Sequence, residues 1–280
     1  MKFLLLFFLF VNIIDAKLVI KDVYKYDSNT ISELSALAYD GKTLFALSDY
    51  GVLHHFNLIL KDEKIEDIQY LKSIKLTDKN GKKLKKKKRD SEGLIYLSKA
   101  LYISFEGVPR IEKHSLNGQK IKKIKIPKIL RDIDNYKSKN KALEALTYSK
   151  KYGFITAPEK PLKDEDIHKL YTKKQIFSFK ASGKITALEY LKNNTILVIE
   201  RDFNLLTNGR KITLSKVYID KCKSNICKKE TLKVLDAKAD KFVDNYEGLT
   251  KIKKNLFLMV SDDNNNILQQ TYFILFEIND

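Results

Sequence analysis

The segment EGLIYLSKALYISFE, running from Glu92 to Glu106, decides the fold. A short apolar run (Leu94 to Leu97) meets a polar break at Ser98-Lys99, and a second apolar run (Leu101 to Phe105) follows. Short β-branched and aromatic runs bounded by turn residues read as the two strands of a hairpin. No 3.6-residue apolar stripe persists through the segment, which argues against a helix.

The same frame recurs five times. Each copy opens on a polar or acidic residue, then a small residue, then leucine, and closes fourteen or fifteen positions later on an acid. The copies run from Ser35-Ala36-Leu37 to Asp49, Glu92-Gly93-Leu94 to Glu106, and Glu144-Ala145-Leu146 to Glu159. Thr186-Ala187-Leu188 to Glu200 and Glu247-Gly248-Leu249 to Asp262 complete the set. Further strands follow most copies: VLHHFNLIL, RIEKHSL with QKIKKIKIP, and KITLSKVYI with ETLKVLD. Repeats of roughly 40–50 residues with four strands each mark a β-propeller. The spacing favours an all-β propeller of five four-stranded blades; six would require one badly degenerate unit. One clear strand, TYFILFEI, remains after the last copy, so the N-terminal KLVIKDVYKY is expected to close the ring beside it.

At 280 residues the chain can bury a core as one domain, expected over 17–280. Met1 to Ala16 carries a lysine, an apolar run from Phe3 to Ile14, and an alanine before a polar start. It reads as a secretory signal peptide cleaved after Ala16, and its apolar run falls short of the about 20 residues of a membrane span. The mature chain is therefore expected in the periplasm or outside the cell, with no stable span of its own. Cys222 and Cys227, the two cysteines, are expected to form a disulfide across a small loop. A metal-thiolate site lacks a nearby histidine or third cysteine.

Net charge is +18. The lysines are spread over every unit, and an exported location argues against nucleic acid. The run Lys82 to Arg89 reads as a solvated loop, or as a basic lip beside Glu92 that draws in anions and loosely contacts anionic surfaces. The four histidines, His54, His55, His114 and His168, show no metal spacing and read as structural; His54 and His55 are expected on opposite faces of one strand. No G-x-S-x-G elbow and no glycine-rich phosphate loop is present.

In such a hairpin the start of the first strand and the end of the second lie at one edge. The frame therefore delivers an inner set (Ser35, Glu92, Glu144, Thr186, Glu247) and a flanking set (Asp49, Glu106, Glu159, Glu200, Asp262) to one mouth. Two carboxylates about 5 Å apart repel by roughly 3 kcal/mol at an effective dielectric near 20. Protonation, neighbouring bases such as Arg201 and Lys160, or a bound cation must relieve them. All-oxygen ligands select a hard ion, Ca²⁺ first and Mg²⁺ second, and Asn245, Asn264 and Asn265 add neutral carbonyls. The competing reading is that each acid accepts backbone N–H groups and staples the ring.

The chain resembles the exported "esterase-like activity of phytase" proteins. The resemblance rests on LSALAYDGKTLFALSD, DSEGLIYLSKALYISFEG, NKALEALTYSKKYGFITAPEKPL, LVIERD and DNYEGLTKIKKNLFLMVSDDNNNILQQT, in the family's order. It implies Glu92, Glu106, Glu144, Glu159, Glu200, Arg201, Glu247, Asp262, Asp263 and Asn264 as signature positions. Ala36, Ala142 and Ala145 replace usual glycines, and Ser91 stands before Glu92 where proline is common; these exchanges touch backbone freedom more than chemistry.

The expected activity is metal-dependent hydrolysis of a phosphate ester or related anionic ester. Glu92 or Glu247 would act as general base, and Arg201 would hold the anion. Glu106, Glu144, Glu159, Glu200, Asp262 and Asp49 are expected as metal ligands, and Lys160, Asp263 and Asn264 as substrate contacts. Two alternatives stand beside it: a Ca²⁺-dependent lactonase-like sugar-acid hydrolase, and a non-enzymatic envelope propeller that binds a glycan or protein partner.

Overall fold

Short apolar runs separated by turn residues make the chain almost wholly β. The computed structural model describes residues 17–28, 30–138, 142–204, 209–266 and 269–279; the signal peptide expected over 1–16 lies outside them. After β1 (Leu18–Tyr26) come β2 (Leu34–Tyr39), β3 (Thr43–Ser48), β4 (Val52–Lys61) and β5 (Lys64–Lys75). The second unit is β6 (Ser91–Leu97), β7 (Ala100–Phe105), β8 (Arg110–His114) and β9 (Lys120–Ile124), and the third is β10 (Leu143–Ser149), β11 (Gly153–Pro158), β12 (His168–Tyr171) and β13 (Ile176–Phe179). Next are β14 (Lys184–Tyr190), β15 (Thr195–Asn204), β16 (Gly209–Lys223) and β17 (Ile226–Asp236), then β18 (Asn245–Lys253), β19 (Leu256–Asp262) and β20 (Thr271–Ile278).

Three sheets have four strands: β2 to β5, β6 to β9, and β18-β19-β20-β1. The last joins the two ends of the chain, with Leu18 opposite Ile278 and Tyr26 opposite Thr271. The third and fourth units form an eight-stranded sheet, joined by one parallel pair between Ser178 and Ile226. The first strands of the units, β2, β6, β10, β14 and β18, pack on one another in cyclic order, which makes the arrangement propeller-like. The Ser98-Lys99 break is a two-residue hairpin turn with both residues at positive φ, 50° and 58°, as the right-handed strand twist favours.

The polar-small-leucine triplet has a separate task for each residue. Leu37, Leu94, Leu146, Leu188 and Leu249 meet on the axis and leave a void of only ≈10 Å³. The small residue lets inner strands approach. A Cβ on Gly248 would come within 2.6 Å of Val260 and 3.0 Å of Leu37, and one on Gly93 within 2.8 Å of Leu146. Ala36 and Ala145 are accommodated at the equivalent places, both buried. The polar residue is a bulge. Hairpin register breaks between Leu34 and Ala36, Ser91 and Leu94, Leu143 and Ala145, Ile185 and Ala187, and Tyr246 and Gly248. A bulge re-aims a side chain out of the ladder's alternation, here in all five units.

His54 and His55 are both buried, contrary to the one-in, one-out expectation. His54 Nδ1 meets Ser73 Oγ at 2.8 Å, and His55 packs edge-on against Phe45, 4.9 Å between centroids. Cys222 and Cys227 form a disulfide inside the β16–β17 ladder, with only Ser224-Asn225 turning beyond it. Among the described residues no helix is long and apolar enough to cross a membrane.

Candidate functional site

Two of the five bulge residues hold the ring together. Ser35 Oγ donates to the Ser91 carbonyl at 2.7 Å, and Thr186 Oγ1 donates to the Tyr246 carbonyl at 2.7 Å. Each accepting carbonyl immediately precedes an acid of the next inner strand, Glu92 or Glu247. The hydroxyls thereby fix the neighbouring bulges. The other three bulge residues, Glu92, Glu144 and Glu247, line a cavity of ≈630 Å³.

Asp49, Glu106, Glu159 and Asp262, at or just past the ends of β3, β7, β11 and β19, line the same cavity. So does Asp90, which the repeat could not reveal because it lies in the loop before β6. Eight carboxylates thus meet three cations, Lys184, Arg201 and Arg210, all from the fourth unit. Arg201 Nη1 donates to Glu247 Oε1 at 2.6 Å and Nη2 to Glu159 Oε1 at 2.9 Å. Lys184 Nζ is 3.2 Å from Glu159 Oε1. Asn245 Nδ2 donates to Glu247 at 2.9 Å and to Asp262 at 3.0 Å. Part of the stapling reading also holds: Glu106 Oε1 accepts the Ala142 N–H at 2.8 Å.

Glu200 is not brought into this mouth. Ala36, Ala145, Ala187 and Gly248 pair with Leu47, Ala157, Ile199 and Val260, and two residues further on stand Asp49, Glu159, Arg201 and Asp262. The fourth copy therefore places Arg201 where the others place an acid. A one-residue shift reverses a strand's faces. Glu200 points the other way, where its Oε2 accepts Lys229 Nζ at 2.7 Å and the Ser182 N–H. Lys160 does not line the cavity; Lys184 stands against Glu159 in its stead. Asp263 is spent on loops: Oδ1 accepts the N–H groups of Glu33 (2.9 Å) and Asn265 (3.0 Å), and Oδ2 the Thr271 hydroxyl (3.0 Å). Asn264 does line the cavity, while Asn265 does not. Lys184 escaped the sequence reading because lysines are too common here to single one out, and Arg210 because it lies outside the repeated frame. None of the four histidines lines the mouth.

Burial is the first cause that pushes four of the mouth's acids, Glu92, Glu144, Asp49 and Asp262, above their ordinary range, and mutual repulsion is the second. Burial raises Glu92 well up, reinforced by Asp49 and Glu144. It raises Glu144 likewise, with Glu159 and Glu247 adding and Arg201 opposing. Burial also raises Asp49, seconded by Glu247, and pushes Asp262 to about 8 with Glu247 as the next cause. Burial alone would lower Arg201, but Glu247 and Glu144 outweigh it and hold the guanidinium protonated.

Two carboxylate groups have a cation-binding shape, Asp49-Glu92-Glu247 and Asp90-Glu92-Glu106, each with oxygens within 4.8 Å of one another and with Glu92 in common. Asp49 Oδ1 is buried without a hydrogen-bond partner, as a ligand oxygen would be. An all-oxygen donor set suits Ca²⁺ or Mg²⁺, so the residues fit such an ion.

A sequence model of the phytase-like family, described as esterase-like activity of phytase, matches residues 29–265. No curated protein matches the chain. Among solved structures, the PQQ-bound aldose sugar dehydrogenase of Streptomyces coelicolor is 9% identical, with 95% of this chain and 99% of that one covered at a TM-score of 0.48. A chain of the mitotic checkpoint complex is 10% identical, with 88% and 64% covered at 0.40. Likenesses this remote carry no argument about chemistry.

Proposed function

The chain belongs to the phytase-like family, that of the esterase-like activity of phytase, and we propose that its acidic mouth hydrolyses a phosphate ester or related anionic ester with the help of a divalent cation, Ca²⁺ before Mg²⁺. The observation that carries this reading is a division of charge within one cavity. Lys184, Arg201 and Arg210 come from the fourth unit, whereas Asp49, Asp90, Glu92 and Glu106 come from the first and second. An anionic group fits between the two halves. We take the five units as the blades of one propeller domain after Ala16, working in the periplasm or outside the cell, as the repeat and the apolar leader lead one to expect.

A bound hard cation would supply Lewis-acid polarisation of the ester oxygen and a more acidic water. Asp49, Glu92, Asp90 and Glu106 would hold it. Arg201 and Lys184 orient the anionic group. Glu247, fixed by Arg201 and Asn245, is placed to accept a proton from the attacking water. Glu144, whose carboxyl burial pushes above its ordinary range, would return a proton to the leaving oxygen. The loop from Lys82 to Arg89 ends beside Asp90 and would steer anions inward, an effect that salt weakens.

The test is a calorimetric titration of Ca²⁺ into chelator-treated protein with thermal melts alongside, followed by turnover of phosphomonoesters and lactones. Cation binding with raised melting, and phosphomonoester turnover lost in chelator, is the expected result. Undiminished turnover in chelator sinks the mechanism. Turnover of lactones alone would move the activity to a sugar-acid hydrolase. Absence of turnover, with binding of a glycan or protein abolished by E92Q/E247Q, would make the chain a binding module.

A further inference from the structure

A second concave site of ≈380 Å³ lies between the sheet of β6 to β9 and the third unit, and shares no lining residue with the acidic mouth. Its floor is apolar: Ile111, Ile124, Ile126, Phe154 and Tyr171. Its rim is basic: Lys125, Lys151, Lys173 and Lys174 are exposed, and no acid lines the groove. Among the described residues none of these four lysines has an ion-pair partner. Lys151 instead stands 4.9 Å over the Tyr152 ring.

The ladder explains why the floor is open. β11 and β12 are held by one residue pair, Thr156 with Tyr171, whereas β12 and β13 pair at four positions and β13 reaches across to β17. The outer half of the third unit is thus bound more firmly to itself than to its own inner half, and by one pair to the fourth unit. Ile111, Ile126 and Tyr171 are buried in the floor while Ile124 and Phe154 are half-buried, and Phe154 is packed on Tyr102 at 4.7 Å and Tyr148 at 5.2 Å.

Small-molecule sites are concave and mostly apolar, with a few placed polar groups that fix the ligand's orientation. We propose that this groove binds a small amphipathic anion, an apolar chain or ring with one carboxylate, sulfonate or phosphate. The apolar body lies against Ile124, Phe154 and Tyr171, and the head sits among Lys151, Lys173 and Lys174. The volume holds roughly a dozen water-sized groups, which suits a medium-length acyl chain.

Dodecanoate and the fluorescent anion 1-anilinonaphthalene-8-sulfonate, titrated against the full chain, test this. Dodecanoate is expected to saturate one site, displace the fluorophore, and bind more weakly in salt. Dodecanol and dodecylamine should compete on the order of tenfold less well, and K151E/K173E should weaken dodecanoate by on the order of tenfold. The control K221E/K254E, in the separate cleft beside Tyr218, should leave it unchanged. These lysines are exposed or at a rim, so unchanged melting temperatures confirm folding. Equal competition by dodecanol, equal losses in both double variants, or binding to anionic vesicles but not to dissolved dodecanoate would each overturn the proposal.

Discussion

Arg201 Nη1 lies 2.6 Å from Glu247 Oε1, joining the end of β15 to the bulge at the start of β18. Through Nη2 the same guanidinium reaches Glu159 on the preceding unit. One cation therefore spans three consecutive hairpins, from the position that carries an acid in every other copy of the frame. This pairing offsets part of the repulsion among the carboxylates of the mouth.

Replacing Arg201 by methionine should cost about 3–5 kcal/mol at pH 8, the usual result of breaking a buried ion pair by removing one partner. Its side chain is only 13% exposed, so screening by water offsets little of this. At pH 5 the loss should shrink, because Glu144, whose proton burial favours and whose charge Arg201 also offsets, then carries less charge. Urea denaturation at both pH values measures the difference, and an equal loss at both would show that packing outweighs charge. Lysine should rescue little, since it cannot serve two carboxylates with one planar fork.

Stability in chelator should fall as pH rises. Glu92, Glu144, Asp49 and Asp262 titrate higher in the folded chain than in the unfolded one, so the folded state binds more protons over the interval between the two ranges. The penalty is absent below about pH 4, where both states are protonated, and the share due to Asp262 is complete only above about pH 8. Melting temperature should drop on the order of 5 °C or more between pH 5 and pH 9. Saturating Ca²⁺ should flatten the curve at the alkaline end, with protons released on binding.

Glu92→Gln separates repulsion from ligation. Glu92 belongs to both candidate cation groups, so its loss should weaken Ca²⁺ on the order of a hundredfold. In chelator at pH 8 the same variant should melt higher than the parent, because a neutral amide removes a charge that burial and Asp49 oppose. Calorimetry and melting curves on one preparation give both numbers. A variant that melts lower and binds Ca²⁺ normally would assign Glu92 to stapling the ring.

Gly93→Ala tests the close approach on which the ring depends. The new methyl would meet Ser104 Oγ, Leu146 Cβ at 2.8 Å and the Leu146 backbone nitrogen at 2.9 Å. Overpacking of this kind costs about 1–3 kcal/mol, and the backbone contact argues for the upper end. Chemical denaturation measures it. A neutral result would mean that β6 and β10 are free to separate.

The hairpin frame was legible because alternation and turn chemistry are local, and Leu94 to Phe105 carries both within twelve residues. Convergence of Glu92, Glu144 and Glu247 followed from the repeated phase. The bulges that aim them were not legible, since nothing in Glu-Gly-Leu distinguishes an extra residue from a paired one. Counting from the first strand also misplaced the fourth copy. Its turn from Leu191 to Asn194 sets the return register, and the acid that fits the count, Glu200, lies one residue off the mouth. Asp90, in the loop before β6, and Lys184, the first residue of β14, entered only through the assembly of distant segments.

That displaced acid supplies the sharpest comparison. Glu200 is fully buried, and its Oε2 accepts Lys229 Nζ at 2.7 Å, away from the cavity. Glu200→Gln should leave Ca²⁺ affinity within about twofold of the parent, since its charge is already matched by Lys229. Stability should nevertheless fall by about 2–4 kcal/mol, because the ammonium loses its counter-charge in a place water hardly reaches. Removing Lys229 as well, in E200Q/K229M, should recover part of that loss, with a coupling energy readable from the double-mutant cycle. If E200Q instead loses Ca²⁺ binding as E92Q does, Glu200 and not Arg201 faces the mouth, and the alignment of the fourth hairpin with the other four must be shifted by one residue.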